Sequence, residues 1–343
     1  MTPNAHALTM TAKSKIIKPA SLVLLAFLLL AIGAGKIPGQ GQNAQGSQTN
    51  EAKILLTAVD TDGRFVNSLR VEDLRVLQDG VPQKVDGFQK ITDRSLSLAI
   101  LIDTSASQER VLPGQRLAAN SFLDSVIRPD RDHVAIATFT DTLTIEQNLT
   151  NDLPTLRRAI ARAVFVPPPG YVRGGLVVGP PPPVSRAPGV PALGTAVWDV
   201  VIDACDNVLS QSPRETRRAI IVLTDGQDTT SRNRMSTAVD RAVRDDVAIY
   251  GIGIGDSNFS GVNKDALRRL SERSGGRAFF PKKVDELTAI FAEIGQELRT
   301  QYLISFSSAS RKGGAAKMKV EIVNPDLRKS GVQLFYQQIV PNK

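Results

Sequence analysis

The chain has one cysteine, two histidines and few aromatic residues in 343 positions. A single cysteine, Cys205, excludes an internal disulfide and any cysteine-based metal site. It falls at helical spacing with Val201, Val208 and Leu209, which suits a small buried apolar residue. The histidines are His6 and His133, and His133 stands just before the apolar run Val134 to Phe139, as a strand-edge residue would. A zinc hydrolase or a Ser-His-Asp triad therefore has no histidine set to use. The net charge is +8 and aromatics are 5%. The arginines are scattered, among them Arg157, Arg158, Arg217, Arg218, Arg268 and Arg269. They read as solvated helix faces, and nucleic-acid binding is not expected.

What the chain does have begins at its amino end. Lys13, Lys15 and Lys18 precede an apolar run from Ala20 to Ala34. A basic start and a core of this length read as a secretory signal, with Gly33, Ala34 and Gly35 offering a cleavage site. Loss of those three lysines would lower the charge to +5. The run is short for a spanning helix, which needs about 20 apolar residues, so an uncleaved anchor is the alternative. Residues 1–35 are thus a signal peptide or anchor, and residues 36–50 a flexible Gly, Gln, Asn and Ser linker.

Residues 51–94 carry strand patterns at Lys53 to Val59 and Asp73 to Gln78. Asp60-Thr61-Asp62-Gly63 and Asp79-Gly80 are turn signals, and the first lacks the ligand pattern of a calcium loop. Residues 299–340 carry three more strands, at Tyr302 to Ser307, Lys317 to Val323 and Val332 to Gln337. Neither flank is large enough to stand alone, so the two are expected to pair into one small β module.

Between the flanks, residues 95–298 alternate strand and helix patterns, which implies a doubly wound, mostly parallel α/β sheet. Gln115 to Arg128 reads as a helix with Leu117, Phe122, Leu123, Val126 and Ile127 on its apolar face. Residues 167–191 interrupt the alternation with nine of the twenty prolines, as an exposed insertion. Gly251-x-Gly253-x-Gly255 lacks the dinucleotide spacing and reads as a closely packed strand. Asp199, Asp203 and Asp206, Asp228, and Glu286, Glu293 and Glu297 read as solvated acids.

Chemistry concentrates where Leu96 to Ile102, a run fit for a doubly buried strand, ends in Asp103, Ser105 and Ser107. Ligands at the carboxyl edge of an open sheet bind what such sheets bind, and an oxygen-only set favours magnesium, manganese or calcium. Two further stretches fit the same edge: Gly194-Thr195 before a helix and Thr224-Asp225-Gly226 after the apolar strand Ala219 to Leu223.

D-x-S-x-S, then G-T, then T-D-G, in that order and frame, resemble the von Willebrand factor type A domain and its metal-ion-dependent adhesion site. The resemblance covers about residues 95–298. It implies a Rossmann-like domain in which Ser105 and Ser107 bind Mg2+ (or Mn2+ or Ca2+) directly. Thr195, Asp103 and Asp225 would bind it directly or through water. It further implies capture of a protein or peptide partner that presents Asp or Glu, with no catalysis. Val59-Asp60-x-Asp62-Gly63, Glu72-Asp73, Asp79-Gly80-x-Pro82-Gln83 and Phe88 resemble secreted bacterial VWFA-related domain proteins, which implies a secreted, periplasmic or cell-envelope location. Two alternatives stay open: a metal-assisted hydrolase or phosphatase using Asp103, and a scaffold that keeps the fold without the metal.

Overall fold

The computed structural model describes residues 50–167, 171–172, 176–177, 194–213, 215–255, 261–308 and 315–341. The expected signal segment and most of the proline-rich insertion lie outside them. In chain order the first elements are β1 (Asn50–Val59), β2 (Leu74–Gln78), β3 (Val81–Gln83), β4 (Val85–Ile91), β5 (Leu96–Asp103) and α1 (Leu112–Val126). Then come β6 (His133–Phe139), β7 (Leu143–Thr150), α2 (Leu153–Arg162), β8 (Tyr171–Val172), β9 (Leu176–Val177) and α3 (Val197–Asn207). The later half holds β10 (Arg217–Thr224), α4 (Met235–Arg244), β11 (Val247–Gly253), α5 (Lys264–Ser274), β12 (Ala278–Phe279) and α6 (Leu287–Arg299). It closes with β13 (Gln301–Ser308), β14 (Ala315–Ile322), α7 (Pro325–Lys329), β15 (Gln333–Tyr336) and β16 (Ile339–Pro341).

The central sheet runs β12-β11-β10-β5-β6-β7, parallel throughout except for the antiparallel edge strand β7. This is the expected doubly wound α/β architecture. Every residue of β5 is buried because helices cover both faces. The strand's two-residue period sorts its side chains: Leu96, Leu98, Ile100 and Ile102 join the core under α1, α2 and α6. Ala99 and Leu101 join the core under α3, α4 and α5. Phe122 of α1 and Phe291 of α6 meet with ring centroids 4.9 Å apart. Gly295 lets the same two helices close up, since a Cβ there would fall 2.3 Å from a Val126 methyl.

Two antiparallel sheets flank this layer, ordered β15-β1-β13-β4 and β16-β14-β2-β3. Residues from both ends of the chain share their core, including Ile54, Leu56, Val76, Tyr302, Ile304 and Phe306. Tyr302 stacks between Phe65 and Phe88, with centroids 5.4 and 5.1 Å away, and its hydroxyl donates to the Val66 carbonyl at 2.8 Å. Asp79 and Gly80 make the two-residue turn between β2 and β3 with φ of 49° and 83°, the positive pair that such a hairpin needs. Asp60 to Gly63 also turn, with Asp60 accepting from the Asp62 and Arg64 amides at 2.9 Å. They do not join β1 to β2 as a hairpin, however: β1 and β2 lie in different sheets.

Several sequence expectations are corrected. The first helix begins at Leu112, and Leu117 points outward with 72% exposure, because the stripe that meets the sheet runs through Ala118, Ala119, Phe122 and Leu123. Arg217 is on a strand and 2% exposed, not on a solvated helix, and it bonds the Asp246 carbonyl at 3.2 Å. Between β14 and β15, Asn324-Pro325-Asp326 opens α7, capped by the Asn324 side chain. Glu297 is 2% exposed, and Glu293 beside it is ion-paired rather than free in solvent. Both face Arg277, whose guanidinium lies 3.0 Å from Glu297 and 4.3 Å from the Phe279 ring centroid. Four-residue spacing on a helix could not tell a solvated acid from one tucked under an arginine. Cys205 is buried as expected, and burial pushes its thiol up to about 12.

Asp132 fastens the opening edge of the sheet. Its carboxylate accepts from the Leu96 amide at 2.9 Å, the Arg128 amide at 2.8 Å and Arg299 Nη2 at 2.6 Å. Burial alone would raise this carboxyl, but Arg299 and the two amides outweigh it and hold it below the ordinary value.

Two outcomes follow from these buried acids. Asp132→Ala strands the Arg299 charge and two amides, and should lower the unfolding free energy by about 3–5 kcal/mol in urea denaturation. For Glu297, burial pushes the carboxyl up to about 8 from 4.5. Between those values the folded protein keeps a proton that the unfolded chain releases. Stability is therefore greatest below the unfolded value and falls as pH rises toward the folded one. Melting curves across that range should show this slope in the wild type and a flatter one in Glu297→Gln.

Candidate metal centre

β5 and β10 lie side by side, and their carboxyl ends point the same way. The chain leaves β5 for β6 on one side and reaches β10 much later on the other. Their shared end is thus a topological switch point, where an open α/β sheet leaves a crevice. Asp103 is the last residue of β5 and has no exposed surface. One carboxylate oxygen accepts from the Ser105 amide at 2.9 Å, and the other from the Thr224 hydroxyl at 2.6 Å. Residues 106–108 then form a single tight helical turn, which brings the Ser105 and Ser107 hydroxyls within 3.3 Å.

Asp225 follows the end of β10 and is 4% exposed. It accepts from the Gln227 amide at 2.9 Å, while its own carbonyl holds the Asn263 amide at 2.7 Å. Gly226 turns the chain with φ of 74°. Gly255 packs against the Asp225 side chain, where a Cβ would come within 2.9 Å of the aspartate's own.

Thr195 is held through its backbone to the loop that follows Asp225. Its amide donates to the Thr229 hydroxyl at 2.8 Å, and its carbonyl accepts from the Thr229 and Thr230 amides at 2.8 and 3.2 Å. The loop before α3 is thus latched to the loop after Asp225. Asp103, Ser105 and Ser107 form one hydrogen-bonded group, the Ser107 hydroxyl acts on Asp225, and Thr195 is fixed to the Asp225 loop.

The electrostatics are unbalanced. Burial pushes the Asp103 carboxyl up to about 6, with the Asp225 charge adding to it and bonds from Ser105 and Thr224 opposing. Burial likewise pushes Asp225 up against the pull of the Ser107 hydroxyl. The leading influences on the two carboxylates are burial, neutral hydroxyl and amide donors and, for Asp103, the Asp225 charge. Two buried acids and a pair of neutral hydroxyls suit a hard divalent cation. The donor set fits the ion it implies.

Some residues that build this site were read differently in the sequence. Thr224 was noted only as part of a motif, yet it holds Asp103. Asp228 is half-buried rather than solvated: together with Ser231 it accepts the Trp198 amide at the start of α3, at 3.3 and 3.1 Å. Asp199 accepts the Arg232 and Asn233 amides at 2.8 and 3.0 Å and pins the same loop to the helix. A polar residue at a loop's end gives no sign of which distant amide it will meet.

Comparison with protein families matches residues 193–293 to the von Willebrand factor type A domain. Over residues 193–293 the chain is von Willebrand factor type A-like. The matched segment includes Thr195 and Asp225 and stops short of the Asp103 strand. No curated protein matches the chain. Among solved structures it is similar to proximal thread matrix protein 1 from the mussel byssus, in a form with a zinc-occupied MIDAS motif. That likeness has 18% identity and a TM-score of 0.45, over 63% of this chain and 49% of the mussel chain. The chain thus spans about half the length of that protein. It is also similar to von Willebrand factor type A from Catenulispora acidiphila, at 12% identity and TM-score 0.47, over 69% and 70% of the two chains. An aerotolerance-related membrane protein from Bacteroides fragilis is similar at 16% and 0.43, over 60% and 98%.

Thr224→Val keeps the side chain's shape but removes the hydroxyl that Asp103 accepts from. It should cost about 1–3 kcal/mol of unfolding free energy in the metal-free protein, read by urea denaturation. An unchanged midpoint would mean that Asp103 is not held in this way.

Proposed function

We propose that this chain is an exported binding module that uses a divalent cation to capture an acidic side chain of a protein or peptide partner. The observation that carries the reading is the buried carboxylate pair at the end of β5 and β10, faced by serine hydroxyls. Asp103, Ser105, Ser107, Thr195 and Asp225 would hold Mg2+, Mn2+ or Ca2+. The bound ion would supply positive charge and a coordination position that a partner's Asp or Glu can fill. The chain's own residues do the positioning: Thr224 and the Ser105 amide aim Asp103, and Thr229 fixes Thr195.

A binding rather than catalytic role is supported by the absence of a histidine base at this edge among the described residues. Among the described residues the one histidine, His133, begins β6, at the opposite end of the sheet from Asp103. We read residues 95–298 as the binding domain and residues 51–94 with 299–340 as one β module beside it. Lys13 to Ala34 support export. Among the described residues no helix is long and apolar enough to cross a membrane. An uncleaved anchor at residues 1–35 would be the membrane contact.

Calorimetric titration with magnesium or manganese should show one site in the wild type and none in Asp103→Ala or Ser105→Ala, with circular dichroism unchanged. A pull-down from cell-envelope proteins should lose its partner when a chelator is added. Capture that persists in chelator, or phosphatase turnover lost in Asp103→Ala, would defeat the reading.

A further inference from the structure

Directly after the second serine stands a glutamine that the binding motif does not use. Gln108 has no exposed surface, and neither does Gln115, which sits in the first turn of α1. Gln108 Nε2 donates to the Ser107 hydroxyl at 3.2 Å. Gln115 Nε2 donates to Gln108 Oε1 at 2.9 Å, and Gln115 Oε1 has no partner of its own. Neutral amides are costly to bury, more so with an acceptor left open. Apolar side chains would fill this corner more favourably, so the pair calls for a reason.

The donor and acceptor count of Ser107 supplies one. A serine hydroxyl has one hydrogen and two lone pairs. Gln108 occupies one lone pair. The hydrogen is drawn to a carboxylate, Asp225, which the hydroxyl stabilises in its charged form. The Ser105 hydroxyl, 3.3 Å away, turns its own hydrogen to Asp103, so one lone pair remains on Ser107, and its direction is set by the other two contacts. Gly255 makes this closure possible, since its missing Cβ leaves room between the Asp225 side chain and Gln108 Nε2. Gln115 in turn holds the carbonyl end of the Gln108 amide, so that the N–H end faces the serine.

We infer that Gln108 and Gln115 form a buried amide relay that orients the Ser107 hydroxyl and aims its free lone pair at the cation. They are positioning residues: neither touches the ion. The inference rests on the metal-binding reading above and assigns residues that the five-ligand motif leaves out. Outer partners of this kind change metal affinity by about 10–100-fold when removed.

Manganese titration calorimetry at pH 8 on the full chain tests it, alongside metal-free circular dichroism of each protein. Gln108→Met fills the same space without a donor and should weaken manganese binding at least about tenfold while the metal-free protein keeps the wild-type circular-dichroism spectrum at the titration temperature. Gln108→Glu separates the relay from simple charge. An added carboxylate would tighten cation binding on electrostatics alone. As an acceptor it would turn the Ser107 hydrogen toward itself, so the relay expects weaker binding. Gln115→Met, which leaves the Ser107 contact in place but unheld, should weaken binding by less, and it serves if a Gln108 variant does not fold. Binding that is unchanged in Gln108→Met, or tighter in Gln108→Glu, overturns the relay and leaves the metal site standing. A wild type that takes up no manganese overturns both.

Discussion

Parallel pairing of β5 with β10 is the constraint on which the rest of the molecule depends. The register runs from Leu96 opposite Arg217 to Ile102 opposite Leu223, and so delivers Asp103 and Thr224 to one edge. Thr224 then bonds Asp103, and Asp225 comes next. A slip of one residue would turn Asp103 away from that edge and send four buried leucine and isoleucine side chains to the wrong face. The hydrophobic core thus fixes the site's geometry as firmly as any polar contact does. It also isolates the two carboxylates from water, which is why they sit above their ordinary values and why an added positive charge would be stabilised there.

Much of this was legible in the chain. Apolar runs of strand length between amphipathic helices specified the doubly wound sheet, because a strand buried on both faces has no other sequence solution. The acidic and hydroxyl residues at the ends of those runs marked the edge. What the sequence could not show was how polar side chains pair over long distances. Asp132 and Arg299 are 167 positions apart, and neither stands out by spacing. Glu297 looked like one more exposed acid until the fold laid Arg277 against it. Leu117 failed for a related reason: a helix with an apolar residue in nearly every turn does not reveal which stripe the sheet will cover.

The polar architecture also explains how three loops behave as one surface. Asp199 and Asp228 tie the Arg232 and Ser231 segment to the start of α3, and Thr229 ties it to Thr195. Amide groups that an uncapped helix start would leave open are satisfied by residues from the loop after Asp225. A change in one of these loops is therefore felt by the others, although no regular element joins them.

The strand that closes the β module starts one residue after α6 ends, with only Thr300 between Arg299 and Gln301. Gln301 bonds Thr57 across 244 positions of chain. At a synthesis rate of about 5–20 residues per second, β1 waits roughly 12–50 seconds for the neighbour it needs. Until then its backbone edge is open on both sides, and the loop to be closed is among the most entropically expensive in the molecule. The flanking sheets are consequently the last part to assemble, and an unfinished chain would present β1 as a template for aggregation or for holding by a chaperone.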